Sequence, residues 1–230
     1  MTSFDALAAL CLALAQSWGG QAVPPLFPQS VQPPAMAAPA ALDGGPSLLE
    51  LTDEELLERV RSDRAALGSL SIGTPGGGRV LNAVLLSPDP RWEIAPAAIS
   101  WGTAETIEAI GAAVATVHEL FPDTPPIVIG DIGHPGGGRL KRHQTHQAGR
   151  DVDFGFYHLP GTGGWYAAGT ARNLDLDRNW ALVRALIVRT DVERILLDTR
   201  IQRLLYRHAL GLGEDKEWLD RVFQFSRGAR

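Results

Sequence analysis

The chain has 230 residues, 45% of them hydrophobic, with a formal net charge of -5 and a pI near 5.7. That is enough apolar material for one core of ordinary domain size. Lys and Arg are scattered rather than clustered, which argues against a nucleic-acid-binding face. The single cysteine, Cys11, excludes an intramolecular disulfide framework.

Residues 1–20 contain an apolar run of signal-peptide length, Ala6 to Ala15 (ALAALCLALA), with Ala13-Leu14-Ala15 as a small-residue cleavage site. The positive region that normally precedes such a run is missing, and Asp5 stands in its place. The run is well short of the roughly 20 residues a membrane-crossing helix needs, so no transmembrane span is expected. Cys11 follows Ala9-Leu10, a poor fit to a lipoprotein box. A cleaved signal is one reading; a short amphipathic or disordered start, or a misassigned initiation codon, is the other.

Residues 21–46 (QAVPPLFPQSVQPPAMAAPAALDGGP) are dominated by Pro and Ala without a period and read as a linker. Residues 47–66 read as a short helical lead-in. Asp53, Glu54 and Glu55 come early and Arg59, Arg61 and Arg64 late, as the helix dipole favours. The main domain is expected over residues 67–230. Arg79 to Leu86 reads as a strand between two turn signals, GTPGGG and SPDP. Thr103 can cap a helix running to Leu120, with Ile107, Ile110, Val114 and Val117 on one face and Pro122 closing it. His118 lies off that stripe and is expected at the surface.

Ile127 to Gly130 and Asp151 to Tyr157 read as strands on either side of a glycine-rich loop. Asn179 to Arg189 reads as a helix and Ile195 to Leu197 as a strand. Thr199 opens a helix with Ile201, Leu204, Leu205 and Leu212 on its apolar face, and Asp215 to Phe225 forms the last helix. Helices and strands mix without regular alternation, which predicts an α+β fold: one domain with a small central antiparallel sheet and flanking helices.

The chemistry concentrates in GDIGHPGGGRLKRHQTHQAGRDVDFGF, residues 130–156, which holds His134, His143, His146, Asp151 and Asp153. Imidazole and carboxylate are good zinc ligands, and hydrolytic zinc sites usually combine three protein ligands with a water. His146 and Asp153 are spaced to bring a loop histidine to a carboxylate on the following strand. Asp151 and Asp153, two apart, share a face, so one can bind metal while the other braces a ligand from behind. Gly149 permits a sharp turn between them. Two other readings stay open on spacing alone. One is a polar loop with solvated histidines. The other is a phosphate cradle at Gly136-Gly137-Gly138, which lacks the Lys-Ser/Thr ending of a P-loop.

The same segment resembles the signature of the penicillin-insensitive murein endopeptidases, zinc peptidases related to lysostaphin-type and D-Ala-D-Ala metallopeptidases. The matching positions are Gly130-Asp131, Gly136-Gly137 and His143 through Asp153. The similarity extends from SIGTPGGGRVLNAVLL and GTAETIEAI to ERILLDTRIQRLLYRHAL and EWLDRVFQF. The resemblance implies that His146 and Asp153 are zinc ligands, that His143 is a catalytic histidine beside the metal, and that Asp151 supports the ligand geometry. It implies zinc as cofactor, hydrolysis of peptidoglycan cross-bridge peptides of the D-alanyl–diaminopimelyl type, and a periplasmic or secreted location.

The family's third ligand lies in a C-terminal His-x-His motif, and no His-x-His occurs in this sequence. The third ligand is therefore left unknown, and a truncated or non-catalytic peptidoglycan-binding relative is the alternative. His208, on an apolar helical face, reads as a satisfied boundary histidine; His158 reads as exposed; His134 could approach the metal. Gly133 stands where the family often has a small hydroxyl residue.

Overall fold

The computed structural model describes residues 50–225 except 96, 97 and 142. The apolar run with Cys11 and the Pro/Ala-rich stretch lie outside the described residues. The elements, in chain order, are α1 (Asp53–Ser62), a 3-10 turn (Ala65–Leu67), β1 (Leu70–Thr74), β2 (Gly77–Leu81), β3 (Val84–Leu85), β4 (Trp92–Ile94), β5 (Trp101–Gly102), α2 (Ala104–Leu120), β6 (Ile127–Ile129), α3 (Leu176–Arg189), α4 (Thr199–Gly211) and α5 (Lys216–Val222). This is the expected α+β class, with helices and small antiparallel sheets. The strands divide into three two-stranded sheets, β1-β2, β3-β5 and β4-β6. Contacts among the described residues cluster in two compact units, residues 50–112 with 129–154, and residues 113–128 with 155–225.

In the unit that contains residues 129–154, the lead-in helix α1 starts at a capping box. The Thr52 side chain accepts from the Glu55 backbone, and the Glu55 carboxylate accepts from the Thr52 backbone. β1 and β2 form a hairpin, with Thr74 opposite Gly77 across Pro75-Gly76. The strand expected over Arg79 to Leu86 is two strands. Asn82 breaks it with φ at 50°, and its side-chain amide donates to the carbonyls of Arg64 (2.7 Å) and Gly68 (2.6 Å). An Asn that satisfies two carbonyls while its backbone turns left-handed cannot also extend a ladder. β3 then pairs with β5. α2 begins where predicted, with the Thr103 hydroxyl accepting from Thr106 N. Of its expected stripe, Ile110, Val114 and Val117 are buried and Ile107 half-buried.

The other unit is held by a core of Leu174, Trp180, Val183, Ile201, Leu205, Ala209, Leu219 and Phe223. Asp175, Asp198 and Asp215 cap α3, α4 and α5, their carboxylates accepting from the backbones of Arg178, Arg200 and Trp218. The strand expected at Ile195 to Leu197 does not form. Ile195 and Leu197 pack on the core and Leu196 is exposed, so the burial alternates without a strand beside it. α5 is shorter than expected, ending at Val222, and Leu212 caps α4 rather than lying within it. His118 is half-buried, not a surface residue. No described helix is long and apolar enough to cross a membrane.

Leu205 is 0% exposed and Leu196 82%. Leu205→Ala should therefore cost about 2–5 kcal/mol in a urea titration, through lost transfer energy and the cavity left behind. Leu196→Ala should stay within about 0.5 kcal/mol of the parent.

Candidate metal centre

All five candidate residues of the motif lie in the unit of residues 50–112 and 129–154. The loop that carries them is seated on the β1-β2 hairpin by its glycines. Gly138 N donates to Gln147 O (2.8 Å), Val80 N to Gly136 O (3.2 Å), and Gln147 N to Pro75 O (3.1 Å). Gly137 N turns back to His134 O. At Gly137 a side chain would collide with the backbones of Gln147, Arg79 and Val80. The glycine run is thus a close-packing device whose amides at Gly137 and Gly138 are spent inside the protein, which removes the phosphate-cradle reading.

Gly149 performs the turn assigned to it. Its φ is 65°, and its carbonyl accepts from Thr103 N (2.9 Å) and the Thr106 hydroxyl (2.8 Å), tying the loop to the start of α2. A Cβ there would fall 2.7 Å from Val80 Cγ2. The strand expected at Asp151 to Tyr157 is instead irregular chain with one isolated bridge, Phe154 to Ile129. Its Asp153 exchanges bonds with the end of β6: Gly130 N donates to Asp153 O (2.8 Å) and Asp153 N to Asp131 O (3.0 Å). Those two bonds set where the Asp153 carboxylate starts from.

His146 is the centre of the cluster. It is 4% exposed, and it is a non-glycine residue with φ of 61°. Such a conformation costs about 1 kcal/mol or more and persists only where surroundings impose it. Here Asp151 Oδ2 accepts from His146 N (2.9 Å) and lies 3.1 Å from the ring Nδ1. On the far side of the ring, Nε2 faces Asp153 Oδ1 at 3.5 Å. Burial pushes the His146 imidazolium down, but the carboxylates of Asp153 and Asp151 outweigh it and the pKa is raised.

The His143 ring meets the His146 ring edge-on, with centroids 4.9 Å apart, and its Nε2 lies 2.9 Å from Asp131 Oδ2. His143, His146 and Asp153 each offer a donor atom within 4.8 Å of the others. Two donors on a tetrahedral zinc with bonds near 2.0 Å stand about 3.3 Å apart. The 3.5 Å gap between His146 Nε2 and Asp153 Oδ1 is close to that spacing and long for an N–H···O hydrogen bond. The buried Asp151 Oδ1 has no hydrogen-bond partner among the described residues. A mixed imidazole–carboxylate set of this kind suits zinc.

The structure therefore brings together His143, His146, Asp151 and Asp153, and leaves the other histidines out. His134 is exposed and outside the cluster. His208 is half-buried with its Nε2 3.0 Å from Asp177 Oδ1, which satisfies it as expected. His158 is half-buried rather than exposed, Nδ1 lying 3.2 Å from Asn173 O, because Gly163 lies flush against its ring. At Gly133 a Cβ would sit 3.1 Å from the carbonyls of His146 and Trp101, so even a small side chain there would have to displace backbone. Sequence reasoning gave Asp131 no role. Its signal was present as the second residue of the Gly-Asp pair that opens the motif.

The site is a histidine–carboxylate cluster in which His143, His146 and Asp153 could hold a metal ion. Residues 71–163 match the family model described as penicillin-insensitive murein endopeptidase, so the resemblance is borne out over the segment that carries the cluster. No curated protein matches the chain. The matched family is one of peptidoglycan-hydrolysing metallopeptidases.

Gly149→Ala should destabilise the protein by about 1–2 kcal/mol for the left-handed backbone alone, and more for the contact with Val80. Gly164→Ala, where a Cβ meets nothing within 4 Å, should leave the unfolding midpoint unchanged. Thermal unfolding of the two variants checks the pair.

Proposed function

We propose that the chain is a zinc-dependent murein endopeptidase that hydrolyses peptide cross-links of peptidoglycan, of the D-alanyl–diaminopimelyl type, outside the cytoplasm. The observation that carries this is the clustering of His143, His146 and Asp153 within a segment that matches the endopeptidase family. His146 and Asp153 hold the metal. Asp151 fixes the His146 backbone and faces its Nδ1, which leaves Nε2 as the nitrogen turned to Asp153 and the metal. A zinc ion held there supplies a water acidified towards neutral pH and a polarised scissile carbonyl. His143, beside the pair, is the group that takes up and returns a proton during hydrolysis.

Metal analysis and cleavage of purified cross-linked muropeptides test this together. The protein should hold about one zinc. His146→Ala and Asp153→Ala should each lose it along with activity, and a chelator should do the same to the parent. Binding of muropeptides without cleavage by the zinc-loaded parent would instead identify a non-catalytic peptidoglycan-binding relative.

His143 separates two roles. As the proton carrier, His143→Ala should keep the zinc while kcat falls by about 100-fold or more. If zinc is lost as well, His143 is the third ligand, a position its donor atom is close enough to fill.

A further inference from the structure

We propose that Asp131 is a positioning residue for His143: it sets the orientation and the protonated nitrogen of that ring. The proposal rests on the reading of His143 as a working group of the site. Both Asp131 oxygens are engaged. Oδ1 accepts from Ile99 N at 2.9 Å, and Oδ2 lies 2.9 Å from His143 Nε2. The Ile99 N–H fixes the rotation of the carboxylate, and so fixes where Oδ2 stands. The Nε2···Oδ2 contact is an ion-pair approach, and at that distance the field of the carboxylate favours an N–H over a lone pair on the facing nitrogen. The Nε2–H tautomer leaves Nδ1 as the nitrogen that can accept a proton or donate to a metal.

The backbone of the same residue does a second job. Asp131 O accepts from Asp153 N, and the preceding Gly130 N donates to Asp153 O. One residue therefore registers two parts of the site, the His143 ring through its side chain and the Asp153 backbone through its carbonyl. The ring needs such a brace. His143 sits in irregular chain; among the described residues its backbone bond is a 3.3 Å contact from its N to Leu140 O, and its ring also meets His146 in a T-shaped contact.

Asp131→Asn is the informative change. It is isosteric and can keep the bond from Ile99 N, but the oxygen that faced Nε2 becomes an amide that donates. The ring is then asked to adopt the opposite tautomer while the fold keeps its connection. On cross-linked muropeptides, kcat of the zinc-loaded full chain should fall by about 10–100-fold with KM little changed, and the thermal midpoint should stay close to that of the parent. In a His143→Ala background the same substitution should cost nothing further, because its effect passes through the ring that has been removed. An undiminished loss in that background would assign Asp131 a structural role and overturn the proposal.

A second measurement does not depend on activity. In 15N-histidine-labelled protein, the His143 Nε2 signal should be of the protonated type in the parent and move to the unprotonated type in Asp131→Asn. Identical ring signals in both would also overturn the proposal. A parent chain that cleaves no muropeptide would sink the endopeptidase reading, yet the nitrogen signals would still decide whether Asp131 orients His143.

Discussion

The geometry of the site depends on one constraint, the left-handed backbone of His146 held by Asp151. An L-residue does not stay at a φ of 61° without help, and Asp151 Oδ2 supplies it by accepting the backbone N–H at 2.9 Å. The same oxygen stands 3.1 Å from the ring Nδ1, an electrostatic approach without hydrogen-bond geometry, so a single atom bonds the main chain and lies against the ring of the buried histidine. Turned this way, the ring presents Nε2 to Asp153. Without the turn, the ring would leave the space between the two carboxylates, and the remaining donors would have no centre to converge on.

That constraint is transmitted to the scaffold through glycines and backbone bonds rather than through a large apolar contact. Gly149 carries the chain back toward α2 with its carbonyl bonded to Thr103 and Thr106, and Gly137 and Gly138 press the loop onto the hairpin. A loop fastened this way has little freedom to move a ligand, which is what a metal site requires if its ligands are to be arranged before the ion arrives. It also explains why so much glycine surrounds so few functional side chains. Gly137, Gly138 and Gly149 all have positive φ, and each tolerates a Cβ poorly.

Much of this was legible in the sequence because the relevant signals are local. The cap at Thr103, the stripe of Ile110, Val114 and Val117, and the pairing of His146 with Asp153 all depend on short spacings, and all three are found in the structure. The errors arose where a tertiary partner decides the outcome. Arg79 to Leu86 has strand composition, but Asn82 is drawn to two distant carbonyls and splits it. Ile195 to Leu197 alternates as a strand would, yet no described strand lies alongside. Asp131 was marked in the sequence by the Gly-Asp pair, but its role was not legible, for a related reason. Its partners, Ile99 and His143, stand 32 and 12 residues away, and no periodicity links an aspartate at the end of a strand to a histidine in a loop.

The charge distribution gives the strongest physical reason to expect a cation here. Three carboxylates, those of Asp131, Asp151 and Asp153, face two imidazole rings across distances of 2.9 to 3.5 Å. All three are partly withdrawn from water, and one oxygen of Asp151 is buried without a hydrogen-bond partner among the described residues. Withdrawing carboxylates from solvent is costly unless positive charge or hydrogen bonds offset it. A protonated His146 offsets part of it, which is the physical content of its raised pKa. A divalent ion held by His146 and Asp153 would offset more, with the His146 Nε2 lone pair as its donor. Two carboxylates converging on one buried imidazole, with a second histidine beside it, are poorly explained as fold-stabilising ion pairs. Their convergence is what supports the proposal that the site takes a divalent cation.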